Sequence, residues 1–293
     1  MDTCAPILYV PIDGTTLLPS IGLEMCLPPE GVSDEIPNWF AVENQSVYLY
    51  YDCLAKFKIS GGRQIEFEAA PDIGEQELQC VLMSAAFGAL IHQRGDLPIH
   101  GAGLVSPEED GVTIIVGNCG AGKSTTSAAL VTKGWSLIAD DICRFSGSTQ
   151  ETGENEIFVH RGYTKIKLTD DACSRLGFDS GVLPRVSKIV DKYFWEPPHI
   201  GDLKYKPKRV IILHRPSGTA TLEWGQCVND VAIRALLPHL FRAQIGAAIN
   251  ARNIELLLKQ LIEVVSVYVL FIPSGVGPNE VADEITRFVA EGE

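Results

Sequence analysis

The sequence predicts an α/β protein, a phosphate-binding core of alternating strands and helices preceded by a small β-rich segment. Three observations carry this expectation. Residues 111–139 read as strand, glycine-rich loop, helix and strand in succession, the order that builds layered α/β sheets. Residues 47–68 hold short runs rich in Tyr, Phe, Ile and Val, separated by turn signals such as Gly61-Gly62. The chain has 293 residues, 46% hydrophobic and 21% charged, which suits one large globular domain or two smaller ones.

Residues 1–38 are rich in Pro and Gly and lack periodicity, apart from a strand candidate at 7–12. Strands follow at 47–51, 55–59 and 64–68, a small meander. From 75 to 94, Leu78, Val81, Leu82, Ala85, Ala86, Ala89 and Leu90 recur at helical spacing. Glu75 and Glu77 suit the positive end of that helix, and Gly95 stops it. Beyond it come a strand at 111–117, a helix at 123–133 and a strand at 136–139, the alternation of a parallel sheet. Further strands are expected at 156–159, 164–168, 209–213, 219–223 and 264–271, and helices at 228–241, 248–261 and 279–290. The natural division is an N-terminal extension and meander at 1–74 and a phosphate-loop core with C-terminal helices at 75–293.

Charge and cysteine spacing exclude several functions. Lys+Arg total 24 and Asp+Glu 37, a formal net charge of −13. A general nucleic-acid binder needs a basic footprint, and a polybasic membrane-surface protein needs a cationic face; neither fits. None of the eight cysteines is in C-x-x-C spacing, which argues against a zinc ribbon or a thioredoxin-like site. The first 20 residues lack the basic start and apolar run of a signal peptide. The apolar stretch at 262–272 is too short to span a bilayer. The expectation is a cytoplasmic chain with reduced thiols.

An acidic chain can hold a polyphosphate only through a local device, and Gly117-Asn118-Cys119-Gly120-Ala121-Gly122-Lys123-Ser124 is one. It satisfies G-x-x-x-x-G-K-[ST] at every fixed position. A β-branched run precedes it and a helix start at Thr125 follows. The glycines let successive N–H groups turn inward as an anion nest, and the following helix adds unpaired N–H groups and partial positive charge. Lys123 reaches the β- and γ-phosphates, and the Ser124 hydroxyl is offered to Mg²⁺. Cys119 invites a redox role, but a small filler side chain is the simpler reading.

Asp140 and Asp141 end the strand after the phosphate-loop helix. A right-handed crossover would bring that strand end to the edge that carries the loop. One carboxylate could then face Mg²⁺ and the other an incoming hydroxyl, whose proton it would accept. The sequence leaves open which does which, and the alternative is a solvated acidic turn. His100, in Leu97-Pro98-Ile99-His100-Gly101, is either a structural histidine on a hairpin strand or a group that tunes one aspartate. Arg144, Arg161, Lys165, Lys188 and Lys192 are candidates to meet phosphate or acceptor, against the plainer reading of solvated charges. The aromatic stretch 193–198 could line an acceptor groove or, equally, pack in the core.

The run 92–102, the phosphate loop and the segment Lys133-Gly134-Trp135-Ser136-Leu137-Ile138-Ala139-Asp140-Asp141 resemble the HPr serine kinase/phosphorylase family. They resemble more closely its divergent HPr-kinase-like members encoded with peptide-modification enzymes, including lasso-peptide kinases. The resemblance covers roughly 45–290. It implies a phosphoenolpyruvate-carboxykinase-type P-loop core with a mixed sheet. It also implies ATP, Mg²⁺ and phosphorylation of a serine or other hydroxyl on a peptide, protein or small molecule. Carried over by position, Asp140 and Asp141 supply base and metal contact, His100 supports the base, and Lys192 lies in a family-like Asp-Lys-Tyr run. Family members often assemble, so a homo-oligomer is consistent with it. The C-terminal signature of the bifunctional enzymes is not recognisable after Asp141, so the resemblance names chemistry rather than acceptor. Two other readings stand beside the kinase. One is a nucleotide-responsive regulatory module with weak or no transfer. The other is a carboxykinase acting on an oxo-acid, for which no metal-binding Lys/His set is recognisable.

Overall fold

The computed structural model describes residues 8–11, 38–51, 54–149, 155–187, 190–198, 201–218 and 220–292. It is a mixed α/β structure of two compact units, residues 1–96 with 242–254, and residues 97–241 with 255–293. The helical segment after the meander groups with the meander.

In the first unit, β1 (Leu8–Pro11), β2 (Asn38–Glu43), β3 (Ser46–Tyr51), β4 (Ala55–Ser60) and β5 (Gln64–Ala69) form one sheet in the order β1-β5-β4-β3-β2. All its pairs are antiparallel except β1 with β5. Alternation is clean in β4, where Ala55, Phe57 and Ile59 are buried and the residues between them are half-buried. The helical run α1 (Glu75–Val81) and α2 (Phe87–Gln93), joined by a π-helical turn at Leu82–Ala86, adds Ala85, Ala86, Ala89 and Leu90 to the same core. Gln93 ties helix to meander: its amide donates to the carbonyls of Gln45 and Ile59 at 2.6 and 2.9 Å and accepts from the Gly62 N–H at 3.1 Å.

The second unit contains β6 (Leu97–His100), β7 (Ala102–Val105), β8 (Val112–Gly117), α3 (Lys123–Thr132), β9 (Ser136–Ala139), β10 (Ile142–Thr149), β11 (Asn155–His160), β12 (Ile166–Leu168), α4 (Asp170–Leu176), β13 (Tyr193–Trp195), β14 (Lys204–Tyr205), β15 (Pro207–His214), β16 (Glu223–Cys227) and α5 (Asn229–Leu236). Then come α6 (Ala243–Val264), whose first part lies in the other unit, β17 (Ser266–Phe271) and α7 (Pro278–Glu291). The main sheet has the order β16-β17-β15-β8-β7-β9. Every residue of β8 is buried, as expected of a central strand covered on both faces. Ala128, Leu130, Val281 and Ile285 from α3 and α7 pack with Ile115, Ile211 and Leu270 of the sheet in one cluster.

Helix–strand alternation alone would make this sheet parallel. It is mixed, because β7 turns back through a short connection to pair antiparallel with β8, and a hairpin needs only a few residues where a parallel return needs a crossover. The α3 crossover then carries the chain past β7, and β9 pairs antiparallel with β7. Strands β8, β9, β15 and β17 consequently point the same way, and their C-terminal ends share one edge.

Three expected elements shift. The strand expected at 219–223 lies at Glu223–Cys227, after a bend where the Thr221 hydroxyl donates to the Glu223 carboxylate at 3.0 Å. The helix expected at 228–241 ends at Leu236 and passes into a 3₁₀ turn at Leu237–His239, since Pro238 has no N–H to continue it. Helix α6 is broken at Asn250, whose side chain accepts from the Asn253 N–H at 3.1 Å and caps the second segment. Among the described residues no helix is long and apolar enough to cross a membrane.

Candidate active site

The shared edge is where the sequence-derived candidates meet. The loop after β8 runs from Gly117 into α3. At Gly117 a Cβ would lie 2.7 Å from the Leu213 carbonyl, and Gly122 has φ +97, so both positions exclude ordinary side chains. Lys123, the first residue of α3, folds back so that its ammonium donates to the Gly117 carbonyl at 2.7 Å and the Asn118 carbonyl at 3.3 Å. Gly117 and Ala121 form the base of the loop rather than the pocket wall: Ala121 is buried in the core, and its carbonyl accepts from the Arg215 Nε at 3.1 Å.

Beside the loop opens a pocket of about 330 Å³. Asn118, Cys119, Gly120, Gly122, Lys123, Ser124 and Thr125 line one side, and His100, Asp140, Asp141, Lys167 and Lys192 the other. Adjacent strand residues ordinarily point to opposite faces, yet both aspartates line this pocket. Asp141 has φ +71, a left-handed conformation uncommon for a residue with a side chain, and it breaks the alternation. The turn is fixed from outside: the Asp140 N–H donates to the Tyr163 carbonyl at 2.6 Å, and the Gly162 N–H donates to the Ile138 carbonyl at 2.8 Å.

His100 reaches the pocket by a route the sequence did not show. Strand β6 belongs to a second, antiparallel sheet of order β14-β11-β10-β6, where His100 pairs with Ile142, and β7 starts two residues later. Its Nδ1 lies 2.9 Å from the Asp141 carbonyl and 3.4 Å from Asp141 Oδ1. On the other side of that carboxylate, Lys167 Nζ donates to Asp141 Oδ2 at 2.8 Å. Asp141 is thus gripped by two basic groups.

The two carboxyl groups are driven apart electrostatically. Burial raises Asp141, but Lys167, by charge and hydrogen bond, together with His100 and Lys192, holds it below the ordinary carboxylate range. Asp140 is 6% exposed; burial and repulsion from Asp141 push it up to about 7 against the pull of Lys167 and Lys123. Burial lowers Lys123, with Cys119, Asp140 and Asp141 opposing. Burial likewise lowers His100, against the pull of Asp141. The result is one firmly anionic aspartate next to one whose charge is costly.

Three basic candidates, Arg144, Arg161 and Lys165, do not line the pocket. Arg161 is exposed and anchored through its backbone, its N–H donating to the Leu203 carbonyl at 2.9 Å. Lys165 pairs with Glu196 at 3.5 Å and lies over the Phe194 ring. Both precede β12 and neither lines the pocket; Lys192 does. Arg144 sits on β10 opposite Pro98 and His160, away from the lining, and Lys188 lies outside the described residues. In the aromatic run, Phe194 is buried, and Trp195 packs against Phe178 with ring centroids 4.7 Å apart.

Sequence reasoning missed Lys167, Thr169 and His239. Lys167 lies between the buried Ile166 and Leu168, and period-two alternation is the signal that marks its outward side chain. His239 is buried, and burial followed by the charges of Lys123 and His100 pushes it down to about 4. The chain just beyond it is laced to β6, with the Phe241 N–H donating to the Pro98 carbonyl at 3.0 Å. No motif marks it. The five described cysteines are free, and among the described residues no cluster of three or more His, Cys, Asp or Glu side chains could hold a metal by itself.

No known family profile matches the chain, and no curated protein matches it in sequence. Among solved structures it is similar to the HPr(Ser) kinase/phosphatase from Coxiella burnetii. The identity is 15% and the TM-score 0.35, over 66% of this chain and 88% of that one. At that distance, function rests on the site itself.

Proposed function

We propose that this protein is an ATP- and Mg²⁺-dependent kinase that transfers the γ-phosphoryl group to a hydroxyl, serine-like in chemistry, on a peptide, protein or small molecule. The observation that supports it is one pocket lined by Asn118, Gly120, Gly122, Lys123 and Ser124 of the phosphate-loop motif, a general-base candidate gripped by two basic groups, and a second carboxylate. A protein that only binds nucleotide has no use for the gripped carboxylate. The motif block at 92–141 resembles kinases of the HPr serine kinase/phosphorylase type, and a phosphoenolpyruvate-carboxykinase-type core is part of the same reading.

Mg²⁺ fits the donor set. Ser124 and Asp140 offer hard oxygen ligands in one pocket, and this ion is ordinarily held by one or two protein oxygens with substrate phosphates rather than by a protein cage. A cation there would also relieve the charge that burial makes costly on Asp140. Its chemistry is to neutralise the triphosphate oxygens.

In the transfer, the acceptor oxygen attacks the γ-phosphorus as its proton passes to Asp141. The bond from that phosphorus to the bridging oxygen breaks and leaves ADP. Lys167 and His100 orient the Asp141 carboxylate and keep it ionised. A depressed carboxylate is a weak base, but a loose transition state asks for a positioned acceptor of the proton more than for a strong one. Lys123 and Lys192 offset the charge on the moving group.

The test is transfer from γ-labelled ATP with Mg²⁺ to serine-containing peptides, an HPr protein and pooled hydroxyl metabolites, beside an acceptor-free control. Label on one acceptor, lost in Lys123→Ala, is the expected result. ATP binding with no transfer to any acceptor would favour a regulatory module.

A further inference from the structure

Beyond the 3₁₀ turn that follows α5, the chain runs alongside β6. Leu240 bridges Ile99 in antiparallel register, and the Phe241 N–H donates to the Pro98 carbonyl at 3.0 Å. That register sets His239 opposite His100, with the two side chains on one face of the ladder. Phe241 lies on the same face, its ring centroid 6.0 Å from that of His100. His239 is 6% exposed, yet among the described residues its imidazole makes no hydrogen bond. A buried polar group without a partner is costly and uncommon, and the proposed transfer makes no use of this one.

The neighbouring ring has a matching need. His100 Nδ1 lies 2.9 Å from the Asp141 carbonyl. A carbonyl only accepts, so Nδ1 carries the proton. Burial lowers His100, and in the neutral ring the other nitrogen, Nε2, holds a lone pair. The two edges of an imidazole face opposite ways. Asp141, just before β10, lies on one side of β6, and the 239–241 segment lies on the other. The Nε2 edge of His100 is thereby turned toward His239. Side chains of opposed residues start about 4.5–5.5 Å apart, within reach of a bond between two imidazoles. Burial, with the charges of Lys123 and His100, pushes His239 down to about 4, so it is neutral and has one N–H to give.

We propose that His239 is a positioning residue whose N–H serves Nε2 of His100 and fixes that ring in the tautomer that turns Nδ1–H to Asp141. The His100 side chain is 40% exposed, and a ring that open holds one orientation only when both its edges are engaged. Without the donor, the ring drifts toward the Nε2–H form, which sets a lone pair against the Asp141 carbonyl. His239 touches no reactant and acts through His100. The role of His100 beside the base rests on the kinase reading; its tautomer does not.

The test is ¹⁵N NMR of the full chain labelled at histidine, without nucleotide, at about pH 8, where both rings are neutral. The chain has six histidines, and the signals lost in His100→Gln identify the ring in question. His239→Leu fills the space without a donor, and His239→Gln keeps an N–H. Wild type and His239→Gln should hold His100 predominantly as Nδ1–H, and His239→Leu should lower the ratio of Nδ1–H to Nε2–H by about fivefold. Transfer should follow. His239→Leu should lose about fivefold in kcat with KM for ATP within about twofold, His239→Gln should restore it, and the loss should vanish in a His100→Ala background. A wild-type His100 found mainly as Nε2–H, a result that needs no variant to fold, would overturn the proposal, as would an unchanged ratio in His239→Leu. If the ratio responds as expected but wild type transfers phosphate to no acceptor, the kinase reading falls and the positioning of His100 by His239 stands.

Discussion

Asp140 makes a quantitative prediction, because its burial has a sign and a size. Its carboxyl is raised from an ordinary 3.8 to about 7 by burial and by Asp141. An acid whose pKa rises on folding binds protons more tightly in the native state. It therefore costs no stability below its unfolded value, costs more as pH climbs from about 4 to about 7, and levels off above that. A rise of roughly three units at about 1.4 kcal/mol each sets a ceiling near ~4 kcal/mol. Asp140→Asn removes the charge and keeps an oxygen to accept the Asp141 N–H that bonds the carboxylate. The variant should be about 2–4 kcal/mol more stable than wild type at pH 8 and nearly equal to it at pH 4. At about 2–4 °C per kcal/mol, that is a melting-point gain of at least ~4 °C. The assay is a set of thermal melts of both proteins at pH 4, 6 and 8 in chelator, without nucleotide. A variant less stable than wild type, or a gain that does not grow with pH, would refute the reasoning. The same substitution should lose transfer activity, so stability and function would part at one residue.

The remaining predictions concern the rest of the pocket. Lys123→Ala should lower phosphoryl transfer by about a hundredfold or more with little change in melting temperature. Asp141→Asn should cost about 10²–10⁴ in turnover while ATP binding, read by calorimetry, stays within about threefold; near-normal turnover would remove Asp141 as the base. Lys167→Met takes away the charge that holds Asp141 down, so the acid limb of the pH–rate profile should move to higher pH and stability should fall by ~2 kcal/mol. An unmoved limb would mean that Lys167 does not act on Asp141. Arg161→Ala, outside the pocket, should leave turnover within about twofold of wild type.

Many of the residues that line the pocket could be picked out in the sequence, because they lie in short contiguous stretches. The glycine-rich motif occupies eight consecutive residues, and the run from β8 to β9 was readable from its alternation. What was hidden depends on pairings across the chain. Nothing in Leu97–His100 says that this strand pairs with β10 rather than with its sequence neighbour. Lys165 and Lys167 look alike in the sequence, and only the placement of β12 decides that one meets Glu196 and the other Asp141. His239 is 116 residues beyond Lys123 in the chain (239 − 123), too far for any local pattern to join them. The break in α6 was missed for a different reason: apolar periodicity continues through Asn250, and a side-chain cap outweighs it.

The strand between the phosphate loop and the aspartates acts as a gauge. Neighbouring strands lie about 4.8 Å apart, so interposing β7 between β8 and β9 sets their axes about 10 Å from each other. Direct pairing of β8 with β9 would halve that gap. One four-residue strand thus fixes the distance between the glycine-rich loop and the two aspartates. Because it is hydrogen-bonded on both sides, that distance is held by backbone geometry and not by any side chain that a point mutation could exchange.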